Sequence, residues 1–342
     1  MPQDSNNIQT AEIVLACSEL DETLAFFVET LGFQIDSIFP ADAPVVAIVS
    51  GYGIRLRLDR YATSKPATLR LYCSTPTTVA EGNLRLQAPN GTEIELEMAD
   101  NELQLPPVVQ SLVLSRLDSS TAWGVGRAGM RYRDLIPDRQ GGRFIASHIH
   151  IPTGGPVPDY VHYHNIRFQL IFCCRGWAKL VYEDQGDEFI LKAGDCVLQP
   201  PQIRHRVLEC SDNMEVVEIG CPAEHETHAD REMNLPTETF DEQRLFKGQR
   251  FVRHQAKTAS SGKWRIDGYE CQDTGIGAAT SGLAGVRIVR PHLAPSAQPS
   301  SHVAEFVFFF VLKGSVTVKL TDRGIEKLNR GDSVVIPSNF SY

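Results

Sequence analysis

The sequence lacks an excess of basic residues and lacks any long apolar run. Lys and Arg number 33 against 42 for Asp and Glu, which gives a net charge of −9. Phosphate groups are bound by clustered Lys and Arg, so this balance argues against nucleic acid and anionic membranes as partners. No segment approaches the roughly 20 consecutive apolar residues that a membrane-spanning helix needs. The composition, 42% hydrophobic and 22% charged, is that of a globular protein.

The eight cysteines include no CxxC pair, and most of them lie in apolar, strand-like runs. This pattern predicts buried, reduced thiols in a cytoplasmic protein rather than a disulfide framework or a redox motif. The first seven residues are polar, with neither a basic region nor an apolar run, so we expect no signal peptide.

Two histidines at spacing i, i+2 mark the most informative stretch of the chain, residues 161–205. Alternation along a strand places His162 and His164 on one face, and His205 follows about forty residues later. Neutral imidazoles that converge from different strands suit a borderline divalent metal such as Fe, Mn, Ni, Cu or Zn. The sequence therefore predicts one divalent transition metal per chain, held by these three histidines.

This stretch resembles the two sequence motifs of the cupin superfamily. The first motif reads Gly155, six residues, His162-x-His164, four residues, Gln169, six residues, Gly176; the second reads Gly194, five residues, Pro200-Pro201-Gln202, two residues, His205. Gln169 stands where the family usually has a glutamate ligand, and Gln202 stands where it has a glycine. The resemblance implies a mainly-β double-stranded β-helix with a three-histidine site and a neutral amide nearby, as in the cupin dioxygenases that lack the glutamate.

The resemblance favours a non-haem metal dioxygenase, with Fe(II) as the favoured metal, acting on a small organic acid, a hydroxylated aromatic or a diketone. Gln169 is a candidate catalytic residue because its amide could donate a hydrogen bond to bound dioxygen or to a carboxylate. Arg167 alternates with Gln169 along a predicted strand at 160–174, so it could pair with a substrate carboxylate. Tyr182 and Glu183 are weaker candidates as proton carriers. Two alternatives stay open: a non-oxidative isomerase, lyase or hydrolase, and a small-molecule-binding or sensor protein without turnover.

Two further histidine pairs flank the motif. We interpret His148 and His150, which also stand at i, i+2, as a strand pair that could point into the same barrel. His225 and His228 lie in an acidic segment after the motif. Their spacing is compatible with a surface metal site, but a polar exit loop is the simpler interpretation.

Residues 1–100 predict an α+β domain of the βαβββ type, followed within the same range by a shorter second unit. The segments Leu24-Ala25-Phe26-Phe27…Leu31-Gly32-Phe33 and Ala88-Pro89-Asn90-Gly91…Ile94-Glu95-Leu96 resemble the glyoxalase/bleomycin-resistance/extradiol-dioxygenase (vicinal oxygen chelate) superfamily. Of the ligand positions that the resemblance implies, Glu12 and Glu95 occupy two, and residues 1–100 contain no histidine. We therefore expect this domain to pack, to dimerise or to bind a small molecule rather than to hold an active metal site.

The remainder of the chain predicts two cupin barrels in tandem. Residues 101–140, including the glycine-rich segment 123–130, are interpreted as a connector; 141–230 form the metal-binding barrel; and 231–342 form a linker with a degenerate second barrel. In that second barrel the motif positions hold Ser300, His302 and Tyr342, and one histidine cannot hold a metal alone. The pattern is also short of two or three strands. Either the sequence is truncated or another segment, such as one within 103–140, supplies them.

Overall fold

The computed structural model describes residues 8–79, 82–99, 103–118, 121–126, 129–293 and 299–342. The chain divides into two compact units, residues 1–102 and residues 103–342. Residues 1–7, on which the expectation about a signal peptide depends, lie outside the described residues, as do residues 127 and 128 of the glycine-rich segment.

The first unit is built on two sheets that share one apolar core. Its strands are β1 (Ile13–Ala16), β2 (Gln34–Phe39), β3 (Val46–Gly51), β4 (Ile54–Asp59), β5 (Thr68–Cys73), β6 (Arg85–Gln87) and β7 (Glu93–Met98). The first sheet has the order β1-β4-β3-β2, with β1 parallel to β4, and the second has the order β5-β7-β6. Helix α1 (Leu20–Ala25), extended by a π-helical segment (Phe26–Thr30), connects β1 to β2 and buries Leu20 and Phe27 completely. A 3-10 turn (Pro76–Thr78) follows β5.

The second unit is mainly β, as the sequence predicts. Its strands are β8 (Val113–Ser115), β9 (Gly124–Val125), β10 (Arg131–Asp134), β11 (Ile145–Ile151), β12 (Gly155–Pro156), β13 (His162–His164), β14 (Phe168–Arg175), β15 (Trp177–Tyr182), β16 (Phe189–Lys192), β17 (Cys196–Leu198), β18 (His205–Cys210), β19 (Met214–Cys221), β20 (Thr227–Ala229), β21 (Leu245–Phe246), β22 (Gln249–Arg250), β23 (Val252–His254), β24 (Gly262–Lys263), β25 (Tyr269–Asp273), β26 (Arg287–Pro291), β27 (Val307–Phe310), β28 (Ser315–Leu320), β29 (Gly324–Asn329) and β30 (Ser333–Ile336). Two single helical turns, α2 (Arg139–Gly142) and α3 (Ile276–Ala279), interrupt them.

Two sheets of this unit face each other and enclose one core; we call them the first barrel. One sheet has the order β23-β17-β14-β19-β11-β10-β9, and the other has the order β16-β15-β18-β13-β20 with β12 paired to β18. Side chains from both sheets meet in a single cluster, in which Cys173 and Val216 of the first sheet pack with Leu180 and Leu191 of the second. Alternate residues of the strands in both sheets therefore point inward and form the core between the two sheets.

The larger sheet of the first barrel is covered on both faces. Phe168, Leu170 and Phe172 of β14 point away from the barrel interior and pack with residues of the C-terminal strands, including Ile288 and Val335. A strand buried on both faces needs no polar alternation, which explains the nearly continuous apolar run along β14.

The C-terminal strands form a separate small core that includes a strand from far upstream. β8 pairs with β30 through Val113↔Val335 and Ser115↔Ser333, and β30 pairs in turn with β27. A strand of the 103–140 segment therefore belongs to the C-terminal sheet. Two further strands of that segment, β9 and β10, extend the larger sheet of the first barrel.

Glu215 of β19 links the first barrel to the C-terminal strands. Its carboxylate lies 3.3 Å from His148 Nε2, 2.7 Å from Arg330 Nη2 and 3.6 Å from Arg175 Nη1. The hydrogen bond with His148, aided by the guanidinium groups of Arg330 and Arg175, lowers the pKa of Glu215 from 4.5 to about 2 against the opposing effect of burial. The side chain is 13% exposed, so bulk solvent screens these contacts only partly.

Because the folded pKa of Glu215 lies below its ordinary value, its contribution to stability is complete above about pH 4.5 and is lost as the pH falls toward about 2. A shift of this size corresponds to roughly 3 kcal/mol. We expect the urea-unfolding free energy to fall less steeply between about pH 6 and pH 3 in Glu215→Gln than in the wild type. Glu238→Gln, which changes an exposed carboxylate, is the control. Equal slopes for wild type and Glu215→Gln would contradict the prediction.

Candidate metal centre

The structure brings His162, His164 and His205 together in the first barrel. His162 and His164 lie on β13, and His205 begins β18, where it is the register partner of His162. One ring nitrogen of each histidine lies within 4.8 Å of the corresponding atoms of the other two. Among the described residues, this is the one group of His, Cys, Asp or Glu side chains with that spacing.

Hydrogen bonds to Nδ1 orient all three imidazoles. His162 Nδ1 lies 2.8 Å from the backbone oxygen of Tyr160, and His205 Nδ1 lies 3.0 Å from that of Ile203. His164 Nδ1 lies 2.9 Å from Thr227 Oγ1. With Nδ1 engaged in this way, Nε2 is the nitrogen that each ring would offer to a metal, and such outer partners are typical of metal-binding histidines. The residues therefore fit one divalent transition metal.

The surroundings of the histidines are largely closed to solvent. His162 and His205 are buried, and the ring of Tyr182 stacks on His205 with centroids 5.5 Å apart. The Asp159 carboxylate lies 3.6 Å from His162 Nδ1 and also accepts the Val207 backbone N–H at 3.0 Å. A buried carboxylate behind a metal-binding histidine is a typical outer partner of such a ring.

The two weaker candidates for proton transfer are less suited to that role. Burial raises the pKa of the Tyr182 hydroxyl, so the phenol stays protonated at neutral pH. The Glu183 carboxylate accepts the backbone N–H of Arg204 at 3.1 Å and lies 2.8 Å from Arg244 Nη1. Its contacts are those of a buried carboxylate that pairs with a partly exposed arginine, just after the end of β15.

The loop before His205 takes the conformation that its motif implies, despite the missing glycine. Gln202 has φ 65°, in the left-handed region where glycine is usual, and its backbone N–H donates to the His164 carbonyl at 3.1 Å. Gly176 also has a positive φ, 75°, and a Cβ there would lie 2.2 Å from Ser211 Oγ. The hydrogen bond from Gln202 to the His164 carbonyl thus connects the loop of the second motif to β13.

Gln169 points into the barrel interior beside a carboxylate that sequence reasoning did not single out. Its Nε2 donates to Glu218 Oε1 at 2.7 Å, and its Oε1 is buried without a hydrogen-bond partner among the described residues. Glu218 lies on β19, nearly fifty residues downstream, and only the pairing of β14 with β19 brings the two together.

Arg167 lies in a bend, not on a strand face. The predicted strand at 160–174 is broken into β13 and β14, so alternation with Gln169 does not orient the arginine. Its backbone N–H donates to the Cys221 carbonyl at 2.8 Å, its carbonyl accepts Gln249 Nε2 at 2.7 Å, and its side chain is half-buried. Contact with a substrate carboxylate stays a prediction.

The flanking histidines fall into three different environments. The ring of His225 lies 5.4 Å from that of His164, at the edge of the candidate metal centre. His228 stacks on Tyr163 and lies 3.0 Å from Glu226, so it forms no joint site with His225. The hypothesis that His148 points into the barrel is wrong, because its neighbour Ile149 takes that face and His148 contacts Trp123 and Phe310 instead.

Among the described residues of the segment 231–342, no histidines cluster in the way that a metal site needs. Ser300 and Tyr342 exchange backbone hydrogen bonds of 2.8 and 2.9 Å, and Arg265 Nη1 donates to Ser300 Oγ at 2.6 Å. His302 Nε2 lies 2.9 Å from the Ile336 carbonyl. The motif positions are thus adjacent, but hydrogen bonds and one guanidinium group occupy them.

In the first unit, the two glutamates at the implied ligand positions do not form a site. Glu95 is ion-paired with Arg70 at 2.6 Å and with Arg85 at 3.5 Å, while Glu12 is exposed. The same unit contains a cleft of about 620 Å³ with Tyr52 and Leu69 among its lining residues.

No protein-family model matches the chain, and no curated protein matches it. Three solved structures are similar: protein Ylba from E. coli (12% identity, covering 69% of this chain and 87% of that chain, TM-score 0.48), the salicylate 1,2-dioxygenase of Pseudaminobacter salicylatoxidans (16%, 69% and 81%, 0.48) and the oxalate decarboxylase of Lactobacillus farciminis in complex with formate (14%, 69% and 84%, 0.47). At identities this low, the activity has to be argued from the residues of the site. No helix among the described residues has both the length and the apolar character needed to cross a membrane.

Proposed function

We propose that the protein is a cupin-type metal enzyme that binds one divalent transition metal, with Fe(II) favoured, and acts as a dioxygenase on a small organic molecule. The observation that carries the proposal is the convergence of His162, His164 and His205, each with Nδ1 hydrogen-bonded. Three neutral ligands leave the charge of the cation uncompensated and leave coordination positions open. A bound Fe(II) would supply a place where a bidentate substrate and dioxygen meet.

The proposed substrate class is chosen from that charge and from the burial of His162 and His205. Small organic acids, hydroxylated aromatics and diketones can offer two oxygens to one metal, and their negative charge would offset that of the cation. In this proposal, the packed rings of Tyr182 and His205 exclude water from one side of the site. Gln169, whose amide donates to Glu218, would provide a polar group that contacts the substrate.

A second candidate function, a non-oxidative isomerase or lyase, is favoured by Glu218. Glu218 is an interior carboxylate of the first barrel, beside Gln169, and such a group could remove a proton from a carbon that is acidified by a bound metal. This reaction needs no oxygen, so the two functions make opposite predictions about oxygen consumption.

The test is to load the purified protein anaerobically with Fe(II), Mn(II), Co(II) or Zn(II) and then to follow dissolved oxygen and substrate together. 2-Hydroxybenzoate, 2,5-dihydroxybenzoate and pentane-2,4-dione represent the substrate classes. We expect one O₂ consumed per substrate lost with Fe(II) and none without metal. Substrate turnover without oxygen uptake would favour the isomerase or lyase, and absence of stoichiometric metal binding would overturn both functions.

For the first unit, we propose a non-catalytic role of the vicinal-oxygen-chelate type, in which its cleft holds a small molecule or its surface forms a dimer. We also propose a cytoplasmic location, since all eight cysteines are free thiols and most are buried.

A further inference from the structure

The side chain of Gln169 has one orientation that its neighbour permits. Gln169 shares its strand face with Ile171 and Cys173, which pack in the barrel interior, and it is 2% exposed. Its partner Glu218 is on the same interior face, because its neighbour Val216 belongs to that core too. An ionised carboxylate only accepts hydrogen bonds, so the amide must turn Nε2 toward Glu218. The carbonyl oxygen of Gln169 then faces the other way.

That carbonyl oxygen is a buried acceptor whose hydrogen bond is missing. Oε1 of Gln169 has no partner among the described residues, whereas the Nε2 contact with Glu218 measures 2.7 Å. Buried polar groups in folded proteins are nearly always hydrogen-bonded, so this oxygen needs a partner such as a bound ligand or an ordered water. The missing partner must be a donor, since two acceptors repel each other.

A chain of contacts connects this acceptor to the histidines. Gln169 is the register partner of Gly220 on β19. A Cβ built on Gly220 would lie 3.7 Å from Cε1 of His225, and the His225 ring lies 5.4 Å from that of His164. The Gln169 side chain and the His225 ring, which borders His164, therefore lie on the same side of the larger sheet, around Gly220.

From this arrangement we infer that the site takes a bidentate metal ligand that carries an O–H or N–H group beside its metal-binding oxygens. Gln169 Oε1 accepts that hydrogen, and Glu218 is a positioning residue that fixes the direction of the amide. A ligand with a carbonyl or carboxylate oxygen at the same position meets an acceptor and is disfavoured. The inference rests on the proposed metal-dependent function, which it narrows to donor-bearing substrates.

Oxamate and oxalate are suitable probes because each chelates a divalent metal through two oxygens, and they differ in one group. Oxamate has an amide NH₂ where oxalate has a carboxylate oxygen. Binding is measured by titrating the Co(II)-loaded protein and following the visible absorption of the metal. Comparison of the oxamate-to-oxalate affinity ratio between variants cancels the intrinsic preference of the metal.

We expect Glu218→Gln and Gln169→Leu each to lower this ratio by about 10-fold, the usual effect of one hydrogen bond. Glu218→Gln frees the amide to turn, and Gln169→Leu removes the acceptor without removing a charge. Glu188→Gln, which changes an exposed carboxylate paired with Lys179 at 2.7 Å, should leave the ratio unchanged. A ratio that falls in Glu218→Gln but not in Gln169→Leu would show that the charge of Glu218 sets the preference, and would overturn the inference.

A metal-free measurement separates failure of the inference from failure of the proposed function. In protein labelled with ¹⁵N at glutamine side chains, the Gln169 amide signal is assigned by its loss in Gln169→Leu. Its hydrogens should exchange slowly in the wild type and faster in Glu218→Gln. Fast exchange in the wild type overturns the inference alone, whereas slow exchange in a protein that takes up no Co(II) overturns the proposed function.

Discussion

Replacement of His205 by alanine is expected to remove the bound metal and, with it, any metal-dependent activity. In the proposed centre, His205 is the one ligand from β18, so its loss would leave two imidazoles from a single strand. Removal of a group that merely orients a ligand typically weakens metal binding by 10–100-fold, and loss of the ligand itself should exceed about 100-fold. Elemental analysis after dialysis measures this directly.

A thermal-unfolding experiment provides a second measurement of the same prediction. Metal at about 100 times its dissociation constant stabilises the native state by roughly 2.7 kcal/mol, which is visible as a higher melting temperature. We expect the wild type to show this increase with Co(II) or Fe(II) and His205→Ala to show none.

Controls are needed because His205 is buried against Tyr182 and its truncation leaves a void. His205→Gln keeps most of the volume and a polar end, so it should fold even where alanine disturbs packing. His292→Ala removes a histidine whose side chain is 66% exposed, and it should retain full metal binding. If His205→Gln folded normally and bound metal as tightly as the wild type, the three-histidine centre would be disproved.

The histidine cluster could be predicted from the sequence because a recognisable motif marks each of its two parts, although the pairing of β13 with β18 brings them together. The spacing of His162 and His164 depends only on strand alternation, and the second motif fixes His205 two residues after a turn. The left-handed φ of Gln202 agrees with the glycine expected there, even though the residue type differs. Backbone geometry was thus easier to predict than side-chain identity.

The groups around the cluster were not accessible, because long-range pairing places them. Thr227 reaches His164 only because β20 adds to the edge of β13, and Glu218 reaches Gln169 only through β19. The sequence does not predict the bend at Arg167, because the mixture of apolar and polar residues over 160–174 is compatible with one continuous strand. The hydrogen bond from the backbone N–H of Arg167 to the Cys221 carbonyl cannot be predicted from composition.

The attachment of β8 to the C-terminal strands is the least predictable feature of the fold, and one carboxylate maintains it. Asp332 is 3% exposed and precedes β30. Its oxygens accept the backbone N–H of Leu117 at 2.8 Å and that of Asn329 at 2.9 Å, and Arg116 Nη1 lies 3.2 Å away. Residues more than two hundred positions apart are therefore joined at one buried side chain.

Asp332→Ala is expected to destabilise the protein by about 2–4 kcal/mol, because it leaves two backbone N–H groups without their acceptor and removes one of the two carboxylates that pair with Arg116. Asp332→Asn keeps one acceptor oxygen and should lose less. Asp267→Ala, which removes an exposed ion pair with Lys263, should change the unfolding free energy by less than about 0.5 kcal/mol. Urea unfolding measures all three.

Hydrogen exchange then tests where the destabilisation acts. If Asp332 attaches β8 to β30, amides of Val113–Ser115 should lose protection in Asp332→Ala well before amides of β14 or β19 in the first barrel. Uniform loss of protection across the second unit would instead mean that the C-terminal strands and the first barrel unfold together. The apolar faces of β14 and β17 pack against C-terminal residues. Comparing the loss of protection in β8 with that in β14 and β19 therefore measures how strongly this shared core couples unfolding of the C-terminal strands to unfolding of the first barrel.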